Sequence, residues 1–338
     1  MEFLGIAETN LLSPMVLSFV LGLIAVFIRS ELSIPEAAAK AMSIYLLFAI
    51  GFKGGVEVAR QGLSGEILAA IAIGIGLSLV LPLIAYALAR AMTSLSPIDA
   101  AAVGAHYGSI SIVTFVAATQ ALDNAGILYD GYMVAVAAAM EAPAIVAALW
   151  LVSRQRTASS LAVAGGPVGH AAPARAPMIP AEVITNGSIV LLCGAFAIGI
   201  LAGERGRSEI SSFIDAPFKG VLCLFLLDMG LLAGRHLRQS AGLLRPPVLA
   251  LGLLMPLIGA AVTVPLTMML GVSVGTAALF LTLAASASYI AVPSALRIAL
   301  PEANPALYLT LSLGVTFPFN LALGIPLYIT VASALGAS

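Results

Sequence analysis

Long apolar stretches alternate with short polar linkers along almost the whole chain. A helix needs about 20 apolar residues to cross a bilayer, and most of the apolar stretches approach or exceed that length. Continuous runs of this kind indicate helices, and the alternation that is typical of membrane β-barrel strands is absent. The pattern therefore predicts an all-α membrane protein with ten transmembrane helices, at residues 11–28, 37–52, 66–89, 98–120, 131–152, 182–202, 217–233, 247–270, 275–299 and 306–335.

The composition supports this interpretation and excludes other classes. Of 338 residues, 61% are hydrophobic and only 9% are charged, whereas soluble domains average roughly 25% charged residues. So few charges cannot coat a water-facing surface, which excludes a soluble globular enzyme, a disordered protein and a nucleic-acid binder. The chain also lacks a Walker loop, a GxSxG elbow and a cluster of acidic or metal-binding residues. We therefore predict that it is not an enzyme.

The distribution of basic residues predicts the orientation in the membrane. Linkers that follow odd-numbered spans carry nine Lys or Arg residues, and those that follow even-numbered spans carry five. Because cytoplasmic loops are enriched in Lys and Arg, the odd linkers are predicted to be cytoplasmic and both termini to lie outside.

One linker is much longer than the others and divides the chain in two. Residues 153–181 are rich in Ala, Gly, Pro and Arg, and are predicted to be flexible and cytoplasmic. The flanking halves, 1–152 and 182–338, hold five predicted spans each and align weakly at a nearly constant offset. The blocks that align are 46–61 with 224–239, 108–111 with 285–288, and 128–141 with 307–320.

An odd number of spans per repeat reverses the second copy in the membrane. The sequence thus predicts two inverted five-helix repeats. This arrangement is typical of secondary transporters, which have a binding site near the bilayer midplane where the repeats meet.

Two polar interruptions at repeat-equivalent positions predict broken helices at that midplane. Both contain Ser-x-Ser, and serine hydroxyls and freed backbone groups can bind ions where water is scarce. Pro293 is predicted to break the second helix. An alternative is that the small residues merely allow close helix packing. The candidate residues are Gly108, Ser109, Ile110, Ser111 and Thr114 in the fourth span, and Ser286, Ala287, Ser288 and Tyr289 in the ninth.

Glu141 and Asn320 occupy equivalent places in the fifth and tenth spans. Each lies close to a proline, Pro143 and Pro318 respectively. An ionisable residue within a membrane span is costly and often functional. Glu141 is therefore a candidate to bind a cation, to accept a proton or to cap backbone groups that the proline frees.

These motifs resemble the sodium-dependent bicarbonate transporter family, the SbtA-like permeases, in its broad bacterial branch. The resemblance covers nearly the whole chain outside 153–181. The cyanobacterial members have an aspartate where this chain has Tyr289. The segments that carry the resemblance are HYGSISIVTF, YMVAVAAAMEAPAI and LAASASYIAVPSALRIALPEANPALYLTLSLGVTFPFNLALGIPLY.

The resemblance implies a fold, partners and site residues. It implies a homotrimer in the bacterial inner membrane, with a gate domain from spans 1, 2, 6 and 7. A core domain from spans 3–5 and 8–10 would slide against the gate as an elevator. A PII-like cytoplasmic protein is a further implied partner. The residues that carry over are Gly108, Ser111, Thr114, Glu141, Ser286, Ser288, Pro293 and Arg297.

Together, these features predict a secondary transporter that imports bicarbonate or a similar small anion with sodium. Ser111, Ser288 and Glu141 are the candidate sodium ligands, and membrane lipid surrounds the protein. Two alternatives remain open. One is a transporter of another small or organic anion with proton or sodium coupling. The other is a channel or a membrane signalling protein.

Overall fold

The computed structural model describes residues 2–62, 64–163 and 187–336, and they fold into helices with no β-strand in these ranges. This agrees with the predicted all-α class. In chain order, α1 to α7 span Glu2–Leu11, Pro14–Phe27, Glu36–Gln61, Gly65–Met92, Pro97–Gly108, Ile112–Ala125 and Met133–Val163. After the gap, α8 to α13 span Gly187–Ile214, Phe218–Ser240, Pro246–Leu270, Val274–Ala285, Ala291–Ala299 and Pro305–Gly336.

Seven helical segments in the described ranges are long and apolar enough to cross a membrane. The predicted spans at 11–28 and 275–299 correspond to shorter helices, and α8 is kinked at Gly203. The protein is thus a multi-pass helical protein. The seven segments are Glu36–Arg60, Gly65–Met92, Pro97–Ala125, Met133–Val152, Phe218–Ser240, Pro246–Leu270 and Pro305–Gly336.

Local sequence explains where many of these helices begin and end. The hydroxyls of Ser13, Ser96 and Ser273 each accept a hydrogen bond from the backbone N–H three residues later, as N-cap residues do. At the other end, Gly126 closes α6 and Gly271 closes α10, both with positive φ. Glycine adopts this left-handed conformation readily, because it has no Cβ.

The predicted linker at 153–181 is helical in its first part. Helix α7 continues without interruption from Met133 to Val163 and so passes the predicted boundary at residue 152. Residues 153–163 include Ala, Ser, Leu, Arg and Gln, which are compatible with a helix, and no proline. Residues 164–181, which hold the prolines of the linker, lie outside the described ranges.

Two helix pairs pack closely through glycines. Helix α2 packs along α9, and α3 packs along α8. A Cβ on Gly22 would collide with the carbonyl of Leu227, and one on Gly199 would collide with that of Phe52. Only glycine therefore permits the backbones to approach this closely. Similar collisions would occur between Gly230 and Phe19 and between Gly55 and Phe196.

The outer surface of several helices is apolar. Large exposed side chains include Ile28 after α2, Leu68 on α4, Leu201 on α8 and Met269 on α10. A soluble monomer rarely exposes so many large apolar groups in extended bands. This surface fits a hydrocarbon environment.

Candidate ion-binding site

Two helices break at the positions where the sequence predicts interruptions. The first break separates α5 from α6 at residues 109–111, and the second separates α11 from α12 at residues 286–290. The residue after α5 is Ser109 and the residue after α11 is Ser286, each in extended conformation. The two short helices, α5 and α11, have equal lengths.

The two breaks contact each other directly. The backbone N–H of Ser111 donates to the hydroxyl of Ser286 at 2.9 Å, and that hydroxyl donates to the Leu283 carbonyl at 2.8 Å. The N–H of Ser288 donates to the carbonyl of His106, also at 2.8 Å. The three serines are buried. Backbone groups that no helix satisfies are thus partly satisfied by the opposite break.

The serine hydroxyls also accept hydrogen bonds from the first turns of the helices that restart after each break. The Ser111 hydroxyl accepts from the N–H of Thr114 at 3.2 Å, and the Ser288 hydroxyl accepts from the N–H of Val292 at 3.4 Å. The N-termini of α6 and α12 therefore begin within the crossing. Their first-turn N–H groups and helix dipoles favour negative charge there.

Glu141 of α7 lines the same narrow pocket as Ser111, Ser288 and Tyr289. Its side chain is 5% exposed, and its Oε2 atom has no hydrogen-bond partner among the described residues. A buried carboxylate without a partner costs several kcal/mol, in order-of-magnitude terms. The carboxylate and the two hydroxyls are hard oxygen ligands of the kind that alkali and alkaline-earth cations prefer.

Tyr289 also places its phenol ring in this pocket. The ring packs edge-on against Phe317 with centroids 5.3 Å apart, and its buried hydroxyl interacts with the side chain of Ser111. The pocket consequently holds a phenol oxygen in addition to the carboxylate of Glu141. Ile110 contributes apolar wall to the pocket.

Asn320 does not line the pocket. Its side chain instead forms a hydrogen bond with the end of the helix that precedes the second break. Its side-chain N–H donates to the carbonyl of Ala285, the last residue of α11, at 2.8 Å. Its Oδ1 accepts from the hydroxyl of Tyr328, also at 2.8 Å. The residue therefore replaces a hydrogen bond that the break removes from α11.

Several other predicted residues have packing or capping surroundings. A Cβ on Gly108 would collide with the ring of Pro82, so its contribution is close packing of α5 against α4. Ser109 is buried, with a hydroxyl that no described residue pairs, and Ala287 packs in an apolar cluster. Thr114 is buried in the first turn of α6.

Pro293 does not break the helix. It is the third residue of α12, and the break lies before it, at residues 286–290. The first-turn N–H groups of a helix have no intrahelical partner, so a proline there removes no hydrogen bond. Arg297 belongs to α12, and its side chain is outside the described part of the structure.

Sequence reasoning missed the contribution of α3. Ser43 and Leu47 line the pocket opposite the breaks. Both also line an apolar gap that continues to Leu222 and Phe225 of α9. A lone serine in the apolar run AMSIYLL was the available signal, but nothing in the sequence places it against the broken helices.

A separate, larger cavity of about 510 Å³ is lined by charged residues. Lys53 forms a 2.7 Å ion pair with Asp215 there, and Lys219 donates to Asn124 at 3.2 Å. Burial, together with the charge of Asp123, raises the pKa of the Tyr129 phenol in the loop after α6. The cavity is polar enough to hold water and hydrated ions.

The chain matches the sequence model of the Na⁺-dependent bicarbonate transporter superfamily over residues 14–333. No curated protein matches the chain in sequence.

Proposed function

Because the chain belongs to the Na⁺-dependent bicarbonate transporter superfamily, we propose that it imports bicarbonate or a similar small anion together with sodium. The observation that supports this most strongly is the contact between the two broken helices, Ser111 N–H to Ser286 Oγ, beside the buried carboxylate of Glu141. This arrangement supplies ligands for an anion and for a cation in one place.

The chemistry of the pocket accounts for coupled transport. The N–H groups at the starts of α6 and α12 would donate to the anion. Glu141 and the hydroxyls of Ser111 and Ser288 would bind sodium. Sodium would offset the charge of Glu141, which otherwise repels an anion in the same pocket. Binding of each ion would therefore favour binding of the other, so that the two ions cross together.

The proposed fold has ten spans in two inverted repeats, and the paired features of the two halves support it. Helix α5 begins at Pro97 and α11 begins at Val274, and the two helices are equally long. Gly22 and Gly199 make equivalent packing contacts, and they are as many residues apart in the sequence as the starts of α5 and α11. The same number of residues separates the N-caps Ser96 and Ser273, and the C-caps Ser109 and Ser286.

The glycine contacts give a different repeat register for α3 and α9. Sequence similarity alone pairs Phe52 of α3 with Gly230 of α9. The carbonyl of Leu227 lies against Gly22 as that of Phe52 lies against Gly199, which supports Leu227 as the proposed equivalent of Phe52. Two apolar segments can be aligned in several registers, whereas a glycine that packs against a particular carbonyl specifies a single register.

The proposed gate consists of α2, α3, α8 and α9, and the proposed core of α4–α7 and α10–α13. The site lies on the broken helices of the core and faces Ser43 and Leu47 of the gate. Sliding of the core would carry the ions past these residues. The homotrimer, the PII-like partner, the bacterial inner membrane and the outside location of both termini follow from the resemblance and from the basic residues of the linkers.

Uptake of labelled bicarbonate into proteoliposomes tests this proposal. We expect an inward sodium gradient to drive accumulation above the equilibrium level, and a potassium gradient of equal size to drive none. Uptake that ignores sodium, or that never exceeds equilibrium, would refute sodium-coupled import.

A second candidate is a proton-coupled transporter of another anion, because Glu141 has an unpartnered oxygen and no basic side chain of the described residues lines its pocket. The pocket volume of about 10 Å³ accommodates one water-sized particle, so the pocket must widen before either kind of anion, small or organic, can bind beside a cation. Accumulation driven by a pH gradient without sodium would support this candidate.

A further inference from the structure

A group of three arginines lies where α2 and α9 end, far in sequence from the broken helices. Arg29, Arg235 and Arg238 line one cavity of about 260 Å³, together with Ser30 and Gln239. Among the described residues, no acidic side chain lines this cavity. All three arginines are exposed, and guanidinium groups gathered around one cavity make a positively charged surface that attracts anions.

Arg29 adopts an unusual backbone conformation at this place. Its φ is 59°, the only positive φ of a non-glycine residue in the described ranges. The N–H of Arg29 donates to the Val26 carbonyl and that of Ser30 to the Ala25 carbonyl, which is the Schellman pattern that closes a helix. Glycine occupies the equivalent position after α6, at Gly126. Arg29 therefore occupies a position where glycine would be less strained. The Arg29 side chain lines the cavity.

The charges of this arginine group are largely uncompensated. None of the three arginines forms an ion pair with a carboxylate in the described part of the chain. Arg238 donates to the Val26 carbonyl at 3.3 Å, which uses one of its donors. Asp228 interacts electrostatically with Arg235 but does not line the cavity. Most guanidinium donors remain available for a ligand.

The neighbouring surface indicates what the ligand is. Arginine forks bind phosphate oxygens in bidentate fashion. Directly beside the arginines, the end of α2 exposes Phe27 and Ile28, which are 56% and 71% accessible. A ligand that carries both a phosphate and acyl chains fits both surfaces. We propose that this arginine group binds the headgroup phosphate of an anionic phospholipid, whose acyl chains lie against the end of α2.

Lipid binding to the purified full-length protein in neutral detergent tests the proposal. The probes are short-chain phosphatidylglycerol, short-chain phosphatidylcholine and inorganic phosphate. The test variant is Arg235→Gln with Arg238→Gln. The control is Arg205→Gln, which removes an exposed arginine that is paired with Glu209. We expect the double variant to bind phosphatidylglycerol roughly 30-fold more weakly, on the basis of roughly fivefold for each arginine at a lipid surface.

A second variant separates binding from folding. Arg29→Gly removes one guanidinium and relieves the positive φ, so the lipid-free protein should unfold at the same or a higher temperature. Its affinity for phosphatidylglycerol should nevertheless fall roughly fivefold.

Three results would overturn the proposal. The first is unchanged phosphatidylglycerol affinity in both arginine variants. The second is an equal loss in the Arg205→Gln control. The third is equally tight binding of inorganic phosphate, which would assign the cavity to a soluble anion.

Discussion

At the scale of single residues, the site depends on oxygen atoms that lack ordinary helical surroundings. The hydroxyls of Ser111 and Ser288 each accept a backbone N–H from the first turn of a restarting helix, so they are oriented before any ion binds. Glu141 contributes a carboxylate in the same pocket. Preorganised groups of this kind bind an ion without first losing conformational freedom.

Replacement of Ser111 and Ser288 should strongly reduce transport. Ser111→Ala with Ser288→Ala removes two proposed sodium ligands, and we expect uptake to fall at least tenfold. Each lost cap costs about 1 kcal/mol of stability, so thermal unfolding must be measured in parallel.

The matched control for this variant is Ser96→Ala with Ser273→Ala. It removes two N-caps that lie at the outer ends of α5 and α11. Uptake per folded protein should stay near wild type in the control. Equal loss in both double variants would mean that capping, and not ion binding, explains the effect.

Glu141→Gln tests the cation site through stability and not through transport. Sodium at roughly 100 times its Kd should stabilise the wild type by about 2.7 kcal/mol relative to choline. The neutral amide should lose this stabilisation, while the sodium-free protein stays as stable as the wild type or becomes more stable, because a buried charge is gone. Unfolding curves in sodium and in choline measure both effects. A sodium response of normal size in the variant would exclude Glu141 as a ligand.

At the scale of helices, close backbone contacts hold the proposed gate together. Gly22 and Gly199 are related by the proposed repeat, and each touches a carbonyl of the partner helix. These contacts fix the register of α2 on α9 and of α3 on α8. Such a pair of helix pairs can act as one rigid unit.

Alanine at these glycines should therefore be destabilising. We expect Gly22→Ala and Gly199→Ala each to lower the free energy of unfolding by about 1–3 kcal/mol, because the methyl group meets backbone that cannot move aside. Gly76 of α4 has no atom within contact distance of a built Cβ, so Gly76→Ala should be neutral or stabilising by about 0.5–1 kcal/mol. Thermal unfolding in detergent compares the three. Equal effects at Gly22 and Gly76 would contradict the packing argument.

At the scale of the whole molecule, the proposed mechanism requires the proposed core to move relative to the proposed gate. Ser43 of α3 and Ile112 of α6 line the same apolar gap, one from each proposed domain. A link between them would prevent sliding while leaving each domain intact.

Cross-linking tests this movement. In a background with Cys193 and Cys223 replaced by alanine, a short bifunctional thiol reagent on Ser43→Cys with Ile112→Cys should block uptake, and reduction should restore it. The control pair is Tyr45→Cys with Phe213→Cys, whose native rings lie 5.1 Å apart within the proposed gate. Cross-linking of this pair should leave uptake unchanged. Full uptake by the cross-linked gate–core pair would rule out sliding at this interface.

The sequence by itself determined the class of the protein and the location of the helices. Apolar runs and polar linkers predict helices near the observed ones, because hydrocarbon requires every backbone group to be bonded within a helix. Ser-x-Ser predicts both breaks, since small polar residues interrupt apolar runs. Glu141 is conspicuous for the same reason.

Only the tertiary structure decided which of these residues meet. The bond from Ser111 to Ser286 joins two segments far apart in the chain, and no local pattern specifies it. Packing of α3 places Ser43 at the pocket, whereas Asn320 does not line the pocket and instead donates a hydrogen bond to the backbone of α11. Pro293 proved to be a first-turn residue, because the chain breaks earlier, where the opposite break supplies replacement partners. Local sequence sets helix formation, but the satisfaction of buried polar groups depends on neighbours that only the fold brings together.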